Sequence, residues 1–240
     1  MSEPGNQSDV PTPGSVGVVS ASRRLALRRV FHCTALLSGL GLPWTAQSQA
    51  MLAAAIPKTP RHTVLVVGDS LSAEYGLPRG SGWVTLLEQR LLGQQLSARV
   101  INASISGDTT AGGWSRLPAL LKQHRPTQVI IELGGNDALR GLPLSDTQRN
   151  LTEMTRAAKD SGARVLIAGI QVPPNYGRRY NDDLAAAFAS VAKSESVALV
   201  PFILEGLDTA QFQEDRIHPL ASAQPIILDN VWPRFKPLLR

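Results

Sequence analysis

Three residues of this 240-residue chain could together carry nucleophilic chemistry: Ser70 in "VVGDSLSAEYG" (66–76), and Asp215 and His218 in "EDRIHP" (214–219). A serine hydroxyl is a weak nucleophile until a general base sits within hydrogen-bond reach. The D-x-x-H spacing lets Asp215 and His218 project from one short turn, with the carboxylate on one ring nitrogen and the other nitrogen free to face Ser70. Taken alone, D-x-x-H reads more readily as a surface turn capped by Asp215. Outside the first 55 residues the other histidines are His62 and His124. His62 precedes the first strand, at the wrong end of the sheet, and His124 ends a helix, where a cation complements the helix dipole. A nucleotide loop is the competing reading of residues 66–76. Neither G-x-G-x-x-G nor G-x-x-x-x-G-K-[ST] follows the first strand, and "LGGND" (133–137) would set an acid against a pyrophosphate. No His, Cys and acid spacing suggests a metal, and nothing calls for a cofactor.

These residues need a scaffold that brings distant segments together. The runs "TVLVV" (63–67), "ARVIN" (98–102), "QVIIEL" (128–133), "ARVLIAGI" (163–170) and "VALVPF" (197–202) are short and nearly all apolar. Strands covered on both faces read this way, and they belong to parallel sheets. Between them lie helical patterns: "GWVTLLEQRLL", "WSRLPALLKQH", "DTQRNLTEMTRAAKDSG" and "NDDLAAAFASVAKSES". In the third, Leu151, Met154 and Ala158 share a face, with Asp146 expected as the N-cap and Gly162 at the end. A last helix over 221–238 is expected to be shortened or kinked by Pro225, Pro233 and Pro237. The predicted fold is α/β, a three-layer α/β/α sandwich on a five-stranded parallel sheet of flavodoxin-like type. Ligands of such sheets bind beyond the carboxyl ends of the strands. Polar residues fall there each time: Gly68-Asp69-Ser70, Ser106-Gly107-Asp108, Gly134-Gly135-Asn136-Asp137, "QVPPNYGRRY" and, past the last strand, Asp215 to Pro219.

The formal net charge is +5, and the four arginines and two acids of residues 1–55 leave +3 for the rest. With no basic run interleaved with aromatics, nucleic-acid binding has no support. Residues 1–20 are rich in Gly, Pro and Ser and are expected to be disordered. "RRLALRR" and the apolar "VFHCTALLSGLGLPWTAQSQA" then have the parts of an export signal. Ser48-Gln49-Ala50 and Ala53-Ala54-Ala55 both fit a small-x-small cleavage site, and Arg28 to Phe31 resembles the centre of a twin-arginine signal. The apolar core is interrupted by Gly39, Gly41 and Pro43 and is too short for a stable membrane anchor. Residues 1–55 are therefore read as a disordered start plus export signal, 56–240 as one domain, and the destination as periplasmic or secreted. Cleavage would remove Cys33, the single cysteine, leaving no thiol to mispair.

"GDSLS", "ISGDTTAGG", "ELGGND" and "DRIHP" resemble, in order, the four blocks of the SGNH (GDSL-type) hydrolases. "NASISGDT", "RLPALLKQH", "ELGGNDALRG" and "NYGRRYN" are similar to the bacterial periplasmic thioesterase, lysophospholipase and arylesterase group within it. The likeness runs from about 62 to 239. It implies a serine hydrolase of carboxylic esters and thioesters working through an acyl-enzyme, with small-molecule acyl esters (aryl esters, acyl-CoA, lysophospholipids) as substrates. It assigns Ser70 as nucleophile, His218 as general base and then acid, and Asp215 as its partner. The oxyanion donors it implies are the Ser70 and Gly107 backbone N–H groups and the Asn136 amide. Asp69, Asp108 and Asp137 are expected to fix turns. Related domains acetylate or deacetylate carbohydrate with the same residues, and a non-catalytic binding module is a third reading. Arg216 departs from the small residue usual at its place and is expected to face solvent harmlessly. Loops 75–82, 112–114 and 172–180 are expected to build an open groove, with Trp83 and Trp114 as candidate liners that packing claims more readily.

Overall fold

The structure, a computed structural model, describes residues 60–240. The expected disordered start and export signal, residues 1–55, lie outside the described residues. Five strands form one parallel sheet: β1 (His62–Gly68), β2 (Ala98–Asn102), β3 (Gln128–Glu132), β4 (Arg164–Ala168) and β5 (Ala198–Val200), in the order β2-β1-β3-β4-β5. Six α-helices accompany them: α1 (Trp83–Gly93), α2 (Thr110–His124), α3 (Gly135–Leu139), α4 (Leu144–Asp160), α5 (Arg178–Glu195) and α6 (Gln224–Phe235). Parallel strands require crossovers, and right-handed ones place α1 on one face and α2, α4 and α5 on the other. The contacts agree, since α1 packs on α6 while α2 meets α4 and α4 meets α5. The three-layer fold is thus the one the sequence predicts.

The central strands are apolar because both faces are covered. Val64 to Val67 and Val129 to Ile131 have no exposure at all. β2 is the exception: as an edge strand it is only half-buried along its length. Trp83, Leu87 and Leu91 of α1 and Ile227, Val231 and Phe235 of α6 fill one layer. Leu117, Leu151, Met154 and Phe188 fill the other.

Several helix ends differ from expectation. α4 begins after Pro143, with no side-chain cap, and Asp146 sits in its first turn paired with Arg149 at 2.7 Å. A proline before the helix already sets the entry angle, so the acid serves the first-turn dipole instead. Gly162 does follow the C-terminus, at φ +89°. α2 starts four residues before Trp114, because the Thr109 hydroxyl accepts from the Gly112 N–H and caps it there. The last segment is divided into a 3₁₀ turn over Ala221–Ala223, α6, and a 3₁₀ turn over Lys236–Leu239, with Pro225 and Pro237 at the starts of the latter two, while Pro233 lies inside α6 without ending it.

Ile130, on the central strand and fully enclosed, gives the direct check of this core. Ile130→Ala should lower the unfolding free energy by about 2–5 kcal/mol, read from urea denaturation. A loss below ~1 kcal/mol would contradict the packing described.

Candidate active site

The strand order reverses between β1 and β3, and the crevice at such a switch point opens at the carboxyl ends of the strands. Ser70 follows β1 on one side of it and Asn136 follows β3 on the other. Asp69 makes the turn that exposes the serine. Its Oδ1 accepts from the Leu71 N–H at 3.0 Å, and its carbonyl accepts from the Ala73 N–H at 2.9 Å. One helical turn therefore begins at Ser70, which stays partly open while Asp69 and Ser72 on either side are buried.

His218 comes from the far end of the chain on a segment tied to the elbow. The Gln213 Nε2 donates to the Tyr75 carbonyl at 3.0 Å, and the Gln213 N–H donates to the His218 carbonyl at 2.7 Å. The Tyr75 ring lies 4.5 Å from the imidazole, centroid to centroid. His218 Nε2 is 2.8 Å from Ser70 Oγ, and Nδ1 is 2.6 Å from Asp215 Oδ2. The other Asp215 oxygen accepts from the N–H groups of Ile217 and His218 at 2.9 and 3.0 Å. Partial burial works to raise the Asp215 pKa, but the His218 N–H, the imidazole and the Ile217 N–H outweigh it and hold the carboxyl at about 2. The structure thus joins Ser70, His218 and Asp215 in one hydrogen-bonded chain, on a surface turn that Asp215 also caps.

Of the expected oxyanion donors, the Ser70 and Gly107 N–H groups donate to no protein acceptor among the described residues. Gly107 takes φ +79°, a conformation that favours glycine, and its carbonyl is held by Arg140 Nη2 at 2.7 Å. Asn136, in the first turn of the short α3, donates from Nδ2 to Asp69 Oδ2 and to the Asp108 carbonyl, each at 2.9 Å. Asp108 also accepts from the Thr109 N–H and pairs with Arg116 Nε at 2.8 Å. Asp137 accepts from the Thr110 N–H and hydroxyl, pinning the start of α2 to α3. These three acids therefore hold turns and helix ends, as expected.

The sequence reading missed Glu132, which ends β3 fully buried behind the elbow. Its Oε2 accepts from the Ser72 hydroxyl at 2.7 Å and from the Asp69 N–H at 3.4 Å. An acid closing an apolar strand run was the available signal. Burial, then the neighbouring Asp69 carboxyl, push the Glu132 pKa well above its ordinary value. Burial also raises Asp69, to about 6, against opposing bonds from Leu71 and Asn136 and the attraction of His218.

A cleft of about 1060 Å³ opens from Ser70, Asn136 and His218 along an apolar wall that includes Ile170, Phe202, Leu204 and Phe212. Val172 to Pro174 and Arg178 of the expected 172–180 loop line it, whereas no residue of 75–82 or 112–114 does, contrary to expectation. Trp83 is fully buried and Trp114 packs partly buried against the core, so neither lines the cleft. Arg216 is exposed at the cleft rim with φ +57°.

A serine, imidazole and carboxylate chain beside free N–H donors, at the switch point of a flavodoxin-ordered sheet, is the arrangement of a serine acyl hydrolase. Residues 66–224 match the model of the GDSL-like Lipase/Acylhydrolase family, and the chain belongs to that family. It is 54% identical over 179 residues to the esterase TesA of Pseudomonas aeruginosa, covering 74% of this chain and 89% of the relative. It is 44% identical to the thioesterase 1/protease 1/lysophospholipase L1 of Escherichia coli, covering 74% of this chain and 85% of the relative. The crystal structure of TesA superposes with a TM-score of 0.72 at 53% identity, covering 73% of this chain and 99% of that one.

The buried acids carry a signed pH prediction. Asp69 and Glu132 keep protons in the folded state at pH values where the unfolded chain has released them, so stability falls as pH rises from about 4 through about 6 and beyond. Glu132→Gln should flatten that decline when urea unfolding is measured over about pH 5–8. A decline as steep as in the unsubstituted protein would contradict it.

Proposed function

We propose that Ser70, His218 and Asp215 carry out the chemistry of this serine hydrolase of carboxylic esters and thioesters, with Ser70, Gly107 and Asn136 as its oxyanion donors. The 2.8 Å approach of His218 Nε2 to Ser70 Oγ carries this reading. His218 takes the Ser70 proton as Oγ attacks the acyl carbonyl, and Asp215 holds the Nδ1–H tautomer and stabilises the imidazolium. The carbonyl oxygen gains charge and receives the free N–H groups of Ser70 and Gly107. His218 then gives its proton to the leaving alcohol or thiol. Water, activated by the same imidazole, frees the acid and restores Ser70.

Substrates are small-molecule esters. The apolar wall formed by Phe202, Leu204 and Phe212 suits an acyl chain, and the relatives' names supply aryl esters, acyl thioesters and lysophospholipids as candidates. Carbohydrate deacetylation, the other reading of the same residues, is less favoured by so apolar a wall. Residues 56–240 form the hydrolase domain in this proposal, and 1–55 an export leader directing it to the periplasm or outside the cell. None of the helices among the described residues is long and apolar enough to cross a membrane.

Ser70→Ala should lower p-nitrophenyl butyrate hydrolysis by about 10⁴-fold or more and abolish labelling by a fluorophosphonate probe. Hydrolysis persisting unchanged would overturn the mechanism. Arg216→Gly should relieve a left-handed backbone and stabilise the fold by about 1 kcal/mol, with activity changed less than ~10-fold. A larger loss, above about 1.4 kcal/mol of transition-state stabilisation, would give Arg216 a role in turnover. N-terminal sequencing of the cell-made protein should find a mature start beyond the leader, such as Ile56 following Ala55, whereas an intact Met1, or a Met51 start, which would begin a form made without the leader, would refute export cleavage.

A further inference from the structure

The Asn136 amide has two Nδ2 hydrogens, and the structure occupies both. One goes to Asp69 Oδ2 and one to the Asp108 carbonyl, each at 2.9 Å. The Ser70 and Gly107 N–H groups have no such competitors among the described residues. A nitrogen with two hydrogens can join the oxyanion site only by giving up or sharing one of these bonds. The two acceptors differ. The Asp108 oxygen is a neutral peptide carbonyl on the loop after β2, whereas Asp69 offers a carboxyl oxygen adjoining the nucleophile.

Asp69 is also the more firmly placed of the two. It is 3% exposed, its backbone N–H reaches Glu132 Oε2, and its Oδ1 is fixed by the Leu71 N–H. A hydrogen bond to a carboxylate is roughly twice as strong as one between neutral groups. We infer that Asp69 is a positioning residue: it keeps one Nδ2 hydrogen of Asn136 throughout turnover and so aims the other, which leaves the Asp108 carbonyl for the oxyanion. The same carboxyl thus makes the turn that exposes Ser70 and orients the amide facing it across the crevice. This rests on Asn136 acting as an oxyanion donor.

Asp69→Asn is the informative substitution. It keeps the volume and can keep the Leu71 bond through its single carbonyl oxygen. It then presents an N–H₂ to the Asn136 N–H₂, donor against donor, and the amide loses its aim. Rates are taken per fluorophosphonate-titrated site, so that only competent protein counts. Asp69→Asn should lower kcat by about 10–100-fold, within the effect of removing an oxyanion donor, and leave KM within about threefold. In the Asn136→Ala background the same substitution should change kcat by less than about twofold, since interacting residues are non-additive.

Equal losses in both backgrounds would give Asp69 a merely structural part and overturn the inference, as would Asp69→Asn with kcat within about twofold of the unsubstituted protein. Asn136→Ala with unchanged kcat would instead remove the oxyanion reading on which the inference stands. Should Asp69→Asn fail to fold, the side-chain amide resonances of Asn136 in the unsubstituted protein decide the matter. Phosphonylation of Ser70 should shift one Nδ2 hydrogen and leave the other, held by Asp69, in place. Both shifting together, or neither shifting, would contradict the inference.

Discussion

The site depends on how closely the ends of β1 and β3 approach each other. A Cβ added at Gly68 would lie 2.8 Å from both Glu132 Oε2 and the Ser72 hydroxyl oxygen, so this position has no room for a side chain. Because the strands meet there, Glu132 can bond the Asp69 N–H and the Ser72 hydroxyl together and hold both sides of the turn. The serine between them is pushed outward. The same economy recurs at the other end of the cleft, where a Cβ at Gly169 would meet the Pro201 carbonyl oxygen at 2.4 Å. The Gly169 N–H there donates to the Val200 carbonyl and its own carbonyl accepts from Ile203, turning the chain towards the cleft wall.

Charge follows from this packing. The proposed chemistry requires an anion behind the imidazole and N–H donors at the developing oxyanion. Asp215 meets the first need, with two backbone N–H groups and the ring holding its carboxyl at about 2 despite opposing burial. On the Ser70 side, burial raises both acids, helped at Glu132 by the Asp69 carboxyl and at Asp69 by Asp108, so the buried pair resists carrying two charges. The Ser72 hydroxyl, the Leu71 N–H and the Asn136 amide donate to the pair and offset part of that cost.

Much of this was legible in the residues, for identifiable reasons. Strands covered on both faces leave unbroken apolar runs, so all five were found, and the rim residues followed from where those runs end. β2 fits the pattern least because an edge strand is covered less. Helix starts were less legible: Pro143 displaced Asp146 from the cap, and the five-residue α3 is too short to show periodicity. Ser70, His218 and Asp215 could be matched by type and spacing. Glu132 could not, since its role arises from contact with a turn whose Ser72 lies 60 residues away in sequence. Nor could the occupied state of the Asn136 amide, which depends on two backbone turns meeting across the crevice.

In the proposed mechanism every acyl group that is hydrolysed passes through Ser70. Acid-quenched turnover of p-nitrophenyl butyrate, followed by peptide mass spectrometry, tests it most directly. The predicted result is a butyryl group on the peptide carrying Ser70, present during turnover and lost once substrate is exhausted. An acyl group on another residue, or continuing turnover with no acylated peptide at any quench time, would contradict it.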